Sequence, residues 1–385
     1  MRAICVYVDG GKGHYVPAKA VMEALVSMGH QVTLEEFFDY LDIRWIGSVN
    51  KWWWRQMLQH SKLERRLSRH NDSESNGMER AIKFACRHCE RAFVSNMEES
   101  PVDFIFCTHP YASTILSAML KDLGITNIPV YYFATDVFNA PAATISDDIR
   151  KFYISTEEGA ARVRAMGQRP ETIEVCPFPL QKNVASGPKL SKREAREKLG
   201  LDLSMLTMQL NLGGEGLGSV SLLEGIYKEN LPVQVVVLGG ISNKMKKRLE
   251  RIGRKYSGSS AKLVVAGFVN NVNEYLAACD IIAGRAGINT IVEAMYAHRP
   301  FLITELVYTV IPSAEYVEKY HVGWNCTDDT AKQLGIIRDY AKAPSSIDCL
   351  DDNFSRIPIV YSADKLASDV AEDAAAFIKS AGKLS

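Results

Sequence analysis

An α/β fold of two domains, each built on a parallel β-sheet, is the architecture this sequence predicts. Three observations predict it. The chain's 385 residues exceed the size at which one hydrophobic core stops growing. Short β-branched runs alternate with helical patterns along most of the length, as in successive βαβ units. A glycine cluster follows the opening strand of each half. In order, the runs are ICVYV (4–8), DFIFC (103–107) and VYYFA (130–134), then LTMQLNL (206–212), QVVVL (234–238), KLVVA (262–266), CDIIA (279–283) and PFLIT (300–304). Between the halves lies a polar stretch, QKNVASGPKLSKREAREKLGL (181–201), with Pro188 and a capping-box pattern at Ser191 and Glu194. This places the boundary after residue 180, giving domains 1–180 and 181–361. The segment 362–382 reads as one Ala-rich helix.

Composition excludes several classes. Hydrophobic residues at 47% and charged residues at 23% match globular usage, and no apolar run is long enough to cross a bilayer. The 45 basic and 45 acidic side chains cancel, so there is no global field for nucleic acid and no nucleic-acid partner is expected. Eight scattered cysteines read as reduced and buried, and the start runs straight into a strand without a leader, so a cytoplasmic location is expected. Cys86 and Cys89 flank His88, but no second ligand pair stands at metal spacing, and two cysteines on a helix is the simpler account; no metal is expected.

Charge is uneven locally. Residues 44–91 hold eleven Lys or Arg against five Asp or Glu. Within IRWIGSVNKWWWRQML, Trp45, Val49, Trp52 and Trp53 share one helical face beside Lys51 and Arg55, with Trp54 next to them. Tryptophan with basic residues suits a helix lying in a bilayer interface, drawn to anionic headgroups. The alternative is that the tryptophans enter the core and the basic face is merely solvated.

The second half carries LGGEGLGS (212–219), VVVLGG (235–240) and GFVNNVNEYLAACDIIAGRAGINTIVEAM (267–295). The first carries DGGKGHYVPA (9–18), THP (108–110) and ATD (134–136). Taken together, over roughly residues 1–330, these resemble glycosyltransferases of the GT-B fold. They look most like the monogalactosyl- and glucosyl-diacylglycerol synthases, with the peptidoglycan lipid-linked N-acetylglucosaminyltransferases as cousins. The resemblance implies two Rossmann-like domains with parallel sheets facing a central cleft. It also implies a C-terminal helix crossing back to the first domain, acceptor and membrane in the first domain, and a UDP-sugar in the second.

It also implies roles for residues. Gly213, Gly214, Glu215, Gly216 and Gly218 form a turn whose amides approach the donor diphosphate, and Ser219 adds a hydroxyl; as bare chemistry the same turn merely joins strand to helix. Arg285, Ala286, Gly287 and Thr290 repeat that arrangement, and Glu293 accepts from the ribose hydroxyls. Phe268 and Val269 resemble the segment that reads uracil, although they could equally close a strand end. His14, after Gly11 and Gly13, is the expected general base, with Asp136 orienting it or positioning the acceptor; a helix-cap role is the alternative for each. His109 lies at a similar edge, on the acceptor side. No DxD string is present, so the leaving diphosphate is expected to be held by helix N-termini without metal.

The sequence departs from the family after PFLIT, where ELVYTVIPSAEYVEKYHVGW (305–324) replaces a P-G-Q-E loop: Thr309 and Val310 hold no acid or amide, leaving Glu305 and Glu315 as nearby acids. The first motif is GGKGH, and VFNAPA after Asp136 lacks the usual His and Trp. The expected function is an inverting, membrane-peripheral transferase moving a hexose from a UDP-sugar to a lipid acceptor such as diacylglycerol, on the inner face of the cell membrane. The alternatives are N-acetylhexosamine transfer to a polyprenyl-linked or other hydrophobic acceptor, and a non-catalytic nucleotide-sugar-binding membrane scaffold.

Overall fold

The computed structural model describes residues 1–60, 63–68, 89–185, 189–212 and 217–381. The chain divides into two compact units, one of residues 1–56, 66–181 and 359–385, the other of 57–65 and 182–358.

The first unit holds a six-stranded parallel sheet made of β1 (Arg2–Tyr7), β2 (Gln31–Glu36), β3 (Phe104–Cys107), β4 (Val130–Phe133), β5 (Lys151–Ile154) and β6 (Ile173–Val175), in the order β2-β1-β3-β4-β5-β6. Every residue of β3 and β4 is buried, which is why FIFC and VYYF are unbroken apolar runs: a parallel strand covered on both faces has no side for water. The edge strands β2 and β6 are half-exposed and mixed in polarity, and neither stands out in the sequence as an apolar run.

The second unit repeats the plan with β7 (Leu206–Asn211), β8 (Val233–Leu238), β9 (Lys262–Gly267), β10 (Ile281–Arg285), β11 (Phe301–Glu305) and β12 (Gly323–Asn325), ordered β12-β11-β10-β7-β8-β9. Its core is separate, built on residues such as Leu210, Val235, Leu249 and Ile281. The helix Lys192–Leu199 opens with the full capping box of Ser191 and Glu194 and ends on Gly200 in the left-handed region (φ 65°).

Both sheets reverse strand order once, between β1 and β3 in the first and between β7 and β10 in the second. In open α/β sheets, ligand crevices form at such reversals, outside the carboxyl ends of the strands.

After the second unit the chain returns to the first. The helix Ala363–Ala381 packs along the helix Lys12–Ser27, and Asp373 on it accepts two bonds from the Arg150 guanidinium (3.0 and 3.1 Å) and one from the Tyr131 hydroxyl (2.7 Å). Residues 57–65, which the sequence assigned with 1–180, cluster instead with the second unit. There the Glu64 carboxylate accepts from the Tyr308 amide (2.8 Å), Arg65 donates to the Leu306 carbonyl (2.9 Å) and pairs with Asp328 (3.0 Å), and the Leu58 carbonyl accepts from Arg285 (2.6 Å). Of the cysteines, 5, 89, 107, 176, 279 and 326 are free and buried, whereas Cys349 is free and exposed; Cys86 and His88 lie outside the described residues.

Candidate active site

At the reversal of the first sheet, the loop after β1 enters the helix Lys12–Ser27 through Gly11, whose φ of 132° is open to glycine and strained for other residues. This carries His14 against the end of β3. The His14 Nδ1 donates to the Thr108 carbonyl at 2.6 Å, and the Thr135 hydroxyl lies 3.1 Å from the same nitrogen. A carbonyl oxygen only accepts, so the ring hydrogen is assigned to Nδ1 and the lone pair to Nε2. Thr108 closes the arrangement by donating from its hydroxyl to the His14 carbonyl (2.8 Å).

The His109 ring meets that of His14 edge to face, centroids 4.5 Å apart. His109 is the N-cap of the helix Pro110–Asp122: its Nδ1 accepts from the Tyr111 amide at 3.2 Å, which assigns its hydrogen to Nε2. The cap role considered for His14 thus belongs to His109 on a different helix. Burial lowers the His14 pKa to about 4 against the opposing bond to Thr108, and burial together with the nearby His14 holds His109 well below the ordinary imidazole value. Two neutral imidazoles therefore present opposite tautomers, one with a lone pair at Nε2 and one with a hydrogen there.

Asp136 is not the residue that holds the His14 ring. The ring's partners are Thr108 and Thr135, and the Asp136 carboxyl has no hydrogen-bond partner among the described residues; burial raises its pKa to about 7.

At the reversal of the second sheet, Asn211 at the end of β7 donates to the Thr290 hydroxyl (2.8 Å), fixing the first turn of the helix Ile288–Tyr296. The helix starts at Gly287, which has ordinary extended backbone (φ −77°) and no side-chain cap. Glu293 stands one turn on, half-buried, its carboxyl without a hydrogen bond among the described residues, and burial raises its pKa to about 7. Phe268 is 83% exposed just past β9, its ring lying where a side chain on Gly240 would have to go. Exposure rules out the strand-end core role for it, while Val269 is half-buried.

Other expected donor contacts are committed within the chain. Residues 213–216, which include Gly213, Gly214, Glu215 and Gly216, lie outside the described residues. The Gly218 amide donates to the Glu305 carboxylate. The Ser219 hydroxyl is fully buried between the Asn211 carbonyl (3.3 Å) and Thr304 (3.0 Å), so it faces the core. The Arg285 guanidinium pairs with Glu305 at 2.7 Å and with the Leu58 carbonyl, and the Ala286 amide donates to the Glu305 carbonyl (3.2 Å). Glu305 thus draws together β10, β11 and the start of the helix Leu217–Lys228.

The helix Arg44–Gln59 carries the tryptophans. Trp45 is 70% exposed, Trp52 60% and Trp53 47%, with Val49 and Arg55 also on the surface. They are not core. Trp54 turns inward near Gly10, and Lys51, still partly exposed, pairs with Asp9 in the glycine loop. No helix among the described residues is long and apolar enough to cross a membrane, and no three His, Cys, Asp or Glu side chains gather there as a metal site would require.

Comparison with known proteins matches residues 14–180 to the monogalactosyldiacylglycerol (MGDG) synthase family and residues 220–339 to the glycosyltransferase family 28 C-terminal domain. Each match covers less than half of the chain, and together they make it similar to the glycosyltransferases of the family 28 type. The monogalactosyldiacylglycerol synthase, chloroplastic, of Spinacia oleracea is 28% identical over 214 residues, 53% of this chain and 40% of that protein. A probable counterpart from Glycine max is 27% identical over 214 residues, 53% of this chain and 39% of that protein. The match thus spans about two fifths of these relatives' length. Among solved structures, Acinetobacter baumannii MurG aligns with a TM-score of 0.61 at 12% identity, over 96% of this chain and 99% of that one. Anabaena HepE, in complex with UDP, aligns at 0.58 and 12% identity, over 98% and 100%. These two likenesses show the fold, the two-domain Rossmann-like GT-B arrangement.

Within this chain the first match begins at His14 and the second ends beyond Glu305, so both sheet reversals fall inside or beside matched segments. Thr108, Thr135 and Asn211 escaped sequence reasoning, and Glu305 stood out only as a nearby acid without a place. Two were in plain view as the threonines of THP and ATD, where the more reactive His109 and Asp136 drew attention. Asn211 and Glu305 are strand-terminal polar residues, a position at which little in one sequence separates a positioning group from a solvated one.

Proposed function

We propose that this chain is an inverting glycosyltransferase that moves a hexose from a UDP-sugar to the hydroxyl of a membrane lipid such as diacylglycerol. The observation that carries the reading is the pairing, in one chain, of an MGDG synthase match over 14–180 with a family 28 C-terminal match over 220–339.

The acceptor oxygen attacks the anomeric carbon from the face opposite the leaving group, while His14 Nε2 takes the hydroxyl proton; His109 Nε2–H donates a hydrogen bond to that oxygen and aims its proton at His14. The bond from the anomeric carbon to the diphosphate breaks, and its electron pair leaves on UDP. The uncapped N-terminal amides of the helix Ile288–Tyr296 meet that charge, and ionised Glu293 accepts from both ribose hydroxyls. Phe268 lies beside the uracil. A neutral imidazole with its lone pair at Nε2 supports the base role, and a half-buried carboxyl without an internal partner supports the ribose role. Exposed Trp45, Trp52 and Trp53 with Arg55 support insertion into an anionic bilayer interface, where the acceptor resides.

The test is an assay of UDP-galactose, UDP-glucose and UDP-N-acetylglucosamine against diacylglycerol and polyprenyl phosphate, with product masses and anomeric configuration. Hexosyl-diacylglycerol of inverted configuration is the expected product. N-acetylhexosaminyl-polyprenyl product, or UDP binding without turnover on any acceptor, overturns the reading.

A further inference from the structure

The helix Asn243–Lys255 carries seven Lys or Arg against the single Glu250, a net +6 (seven minus one) in a chain whose charges otherwise sum to −6. Met245, Leu249 and Ile252 bury against the second core. That turns Lys244, Lys247, Arg251 and Arg254, spaced i, i+3, i+7 and i+10, to solvent as one stripe. Along it, like charges stand three and four residues apart, an arrangement that weakens a helix, and Lys244 sits in the first turn, against the helix dipole. Among the described residues these four make no ion pair; at the far end Lys255 pairs with Glu224 at 3.1 Å. The sequence thus maintains a charge density that costs the isolated fold.

We propose that this helix is a docking face for anionic lipid headgroups, carried by the second unit and additional to the tryptophan helix. The choice of lipid over other polyanions rests on the lipid-acceptor reading above. It is favoured by the stripe's composition: no aromatic residue stands within the helix to stack a base, as single-stranded nucleic acid would require. The apolar residues face inward, so nothing on this surface inserts into acyl chains. Attachment here is therefore electrostatic, reversible and screened by salt. A patch of this kind would hold the second unit at the surface from which the acceptor is drawn.

The experiment is sedimentation of the full chain with phosphatidylcholine vesicles, with and without phosphatidylglycerol, comparing wild type, Lys244→Gln/Lys247→Gln/Arg251→Gln, and Lys244→Arg/Lys247→Arg. Each neutralised cation should lose about fivefold in partitioning, so the triple variant should lose roughly 100-fold of the phosphatidylglycerol-dependent binding. The charge-conserving variant should bind as wild type, and high salt should erase the difference. Thermal unfolding should not fall in either variant, and relief of like-charge repulsion should raise it slightly in the triple variant. Wild-type binding that ignores phosphatidylglycerol, or a well-folded triple variant that sediments as wild type, overturns the proposal. So does loss of RNA binding in the triple variant while vesicle binding persists. Sedimentation does not require turnover: a chain that transfers no sugar but needs these cations for binding refutes the proposed function and leaves this inference standing.

Discussion

His14 is held by a carbonyl rather than a carboxylate, and that changes its expected titration. The bond to Thr108 fixes the tautomer without supplying a negative charge to raise basicity, so burial dominates and the pKa falls to about 4. The base is ionised, and lost, only below that value. At saturating donor, kcat should therefore keep its acid-side plateau down to about pH 4; an acid limb in kcat near the ordinary 6.5 would mean a solvated ring. His14→Ala should lose 10² to 10⁴ in turnover with UDP affinity kept, and retention of more than about a tenth would remove it from the base role. Thr135→Val should lower kcat less, with KM unchanged, because one of the two tautomer-holding contacts survives. Glu293 has the opposite sign. Burial raises it from 4.5 to about 7, whereas ribose hydroxyls favour the ionised form. UDP affinity should rise as pH climbs through about 7, and calorimetry should show Glu293→Gln flattening that dependence and weakening binding by about 1 to 3 kcal/mol. Equal affinity and an equal slope in the variant would exclude the ribose role. Stability moves the other way: without ligand, a raised carboxyl favours the fold below its unfolded pKa and that contribution fades as pH rises through about 7.

At the level of elements, Glu305 joins strand ends to a helix start. Glu305→Ala would leave the Arg285 guanidinium buried without its carboxylate, and losing one partner of a buried pair typically costs about 3 to 5 kcal/mol; chemical denaturation should show a loss of that order, and a change under 1 kcal/mol would mean water reaches Arg285. The tryptophan helix predicts the contrary pattern. Because Trp52 and Trp53 are exposed, replacing both with Ala should change stability by about 0.5 kcal/mol or less per site while markedly weakening sedimentation with anionic vesicles; unfolding of the variant would return them to the core. Elements differ in how far the sequence reveals them. Buried central strands such as β3 and β4 are legible because both faces exclude water, leaving an unbroken apolar run. The edge strands β2, β6 and β12 are not, since much of their surface is wet and their composition approaches that of a loop; edge strand β9 is the exception, its KLVVA run visible although partly exposed. The same reasoning covers the site: glycine turns announce themselves by residue type, but whether a Ser219 hydroxyl points to a ligand or to Thr304 depends on packing against a strand 85 residues away.

On the scale of the whole molecule, the plan was legible because it is stated twice: strand, glycine turn, helix, in each half. The excursion of 57–65 into the second unit was not, because it depends on Glu64 and Arg65 meeting Tyr308, Leu306 and Asp328, more than 240 residues on. The return of the last helix to the first sheet yields a further expectation. Ending the chain at Pro358 removes Asp373 from Arg150 and Tyr131 and strips cover from the helix Lys12–Ser27; hydrogen exchange should then rise across residues 1–56 and 66–181 while 57–65 and 182–358 stay protected. Equal protection in both units would show that the returning helix is decoration. The same return also sets an order of events on the ribosome. The second unit's main body is contiguous, residues 182–358, whereas the first needs residues from 359 onward. Translation at roughly 5 to 20 residues per second therefore separates emergence of the first sheet from emergence of its last helix by about 10 to 35 s. During that interval the half made first waits, incomplete, while the half made second can fold.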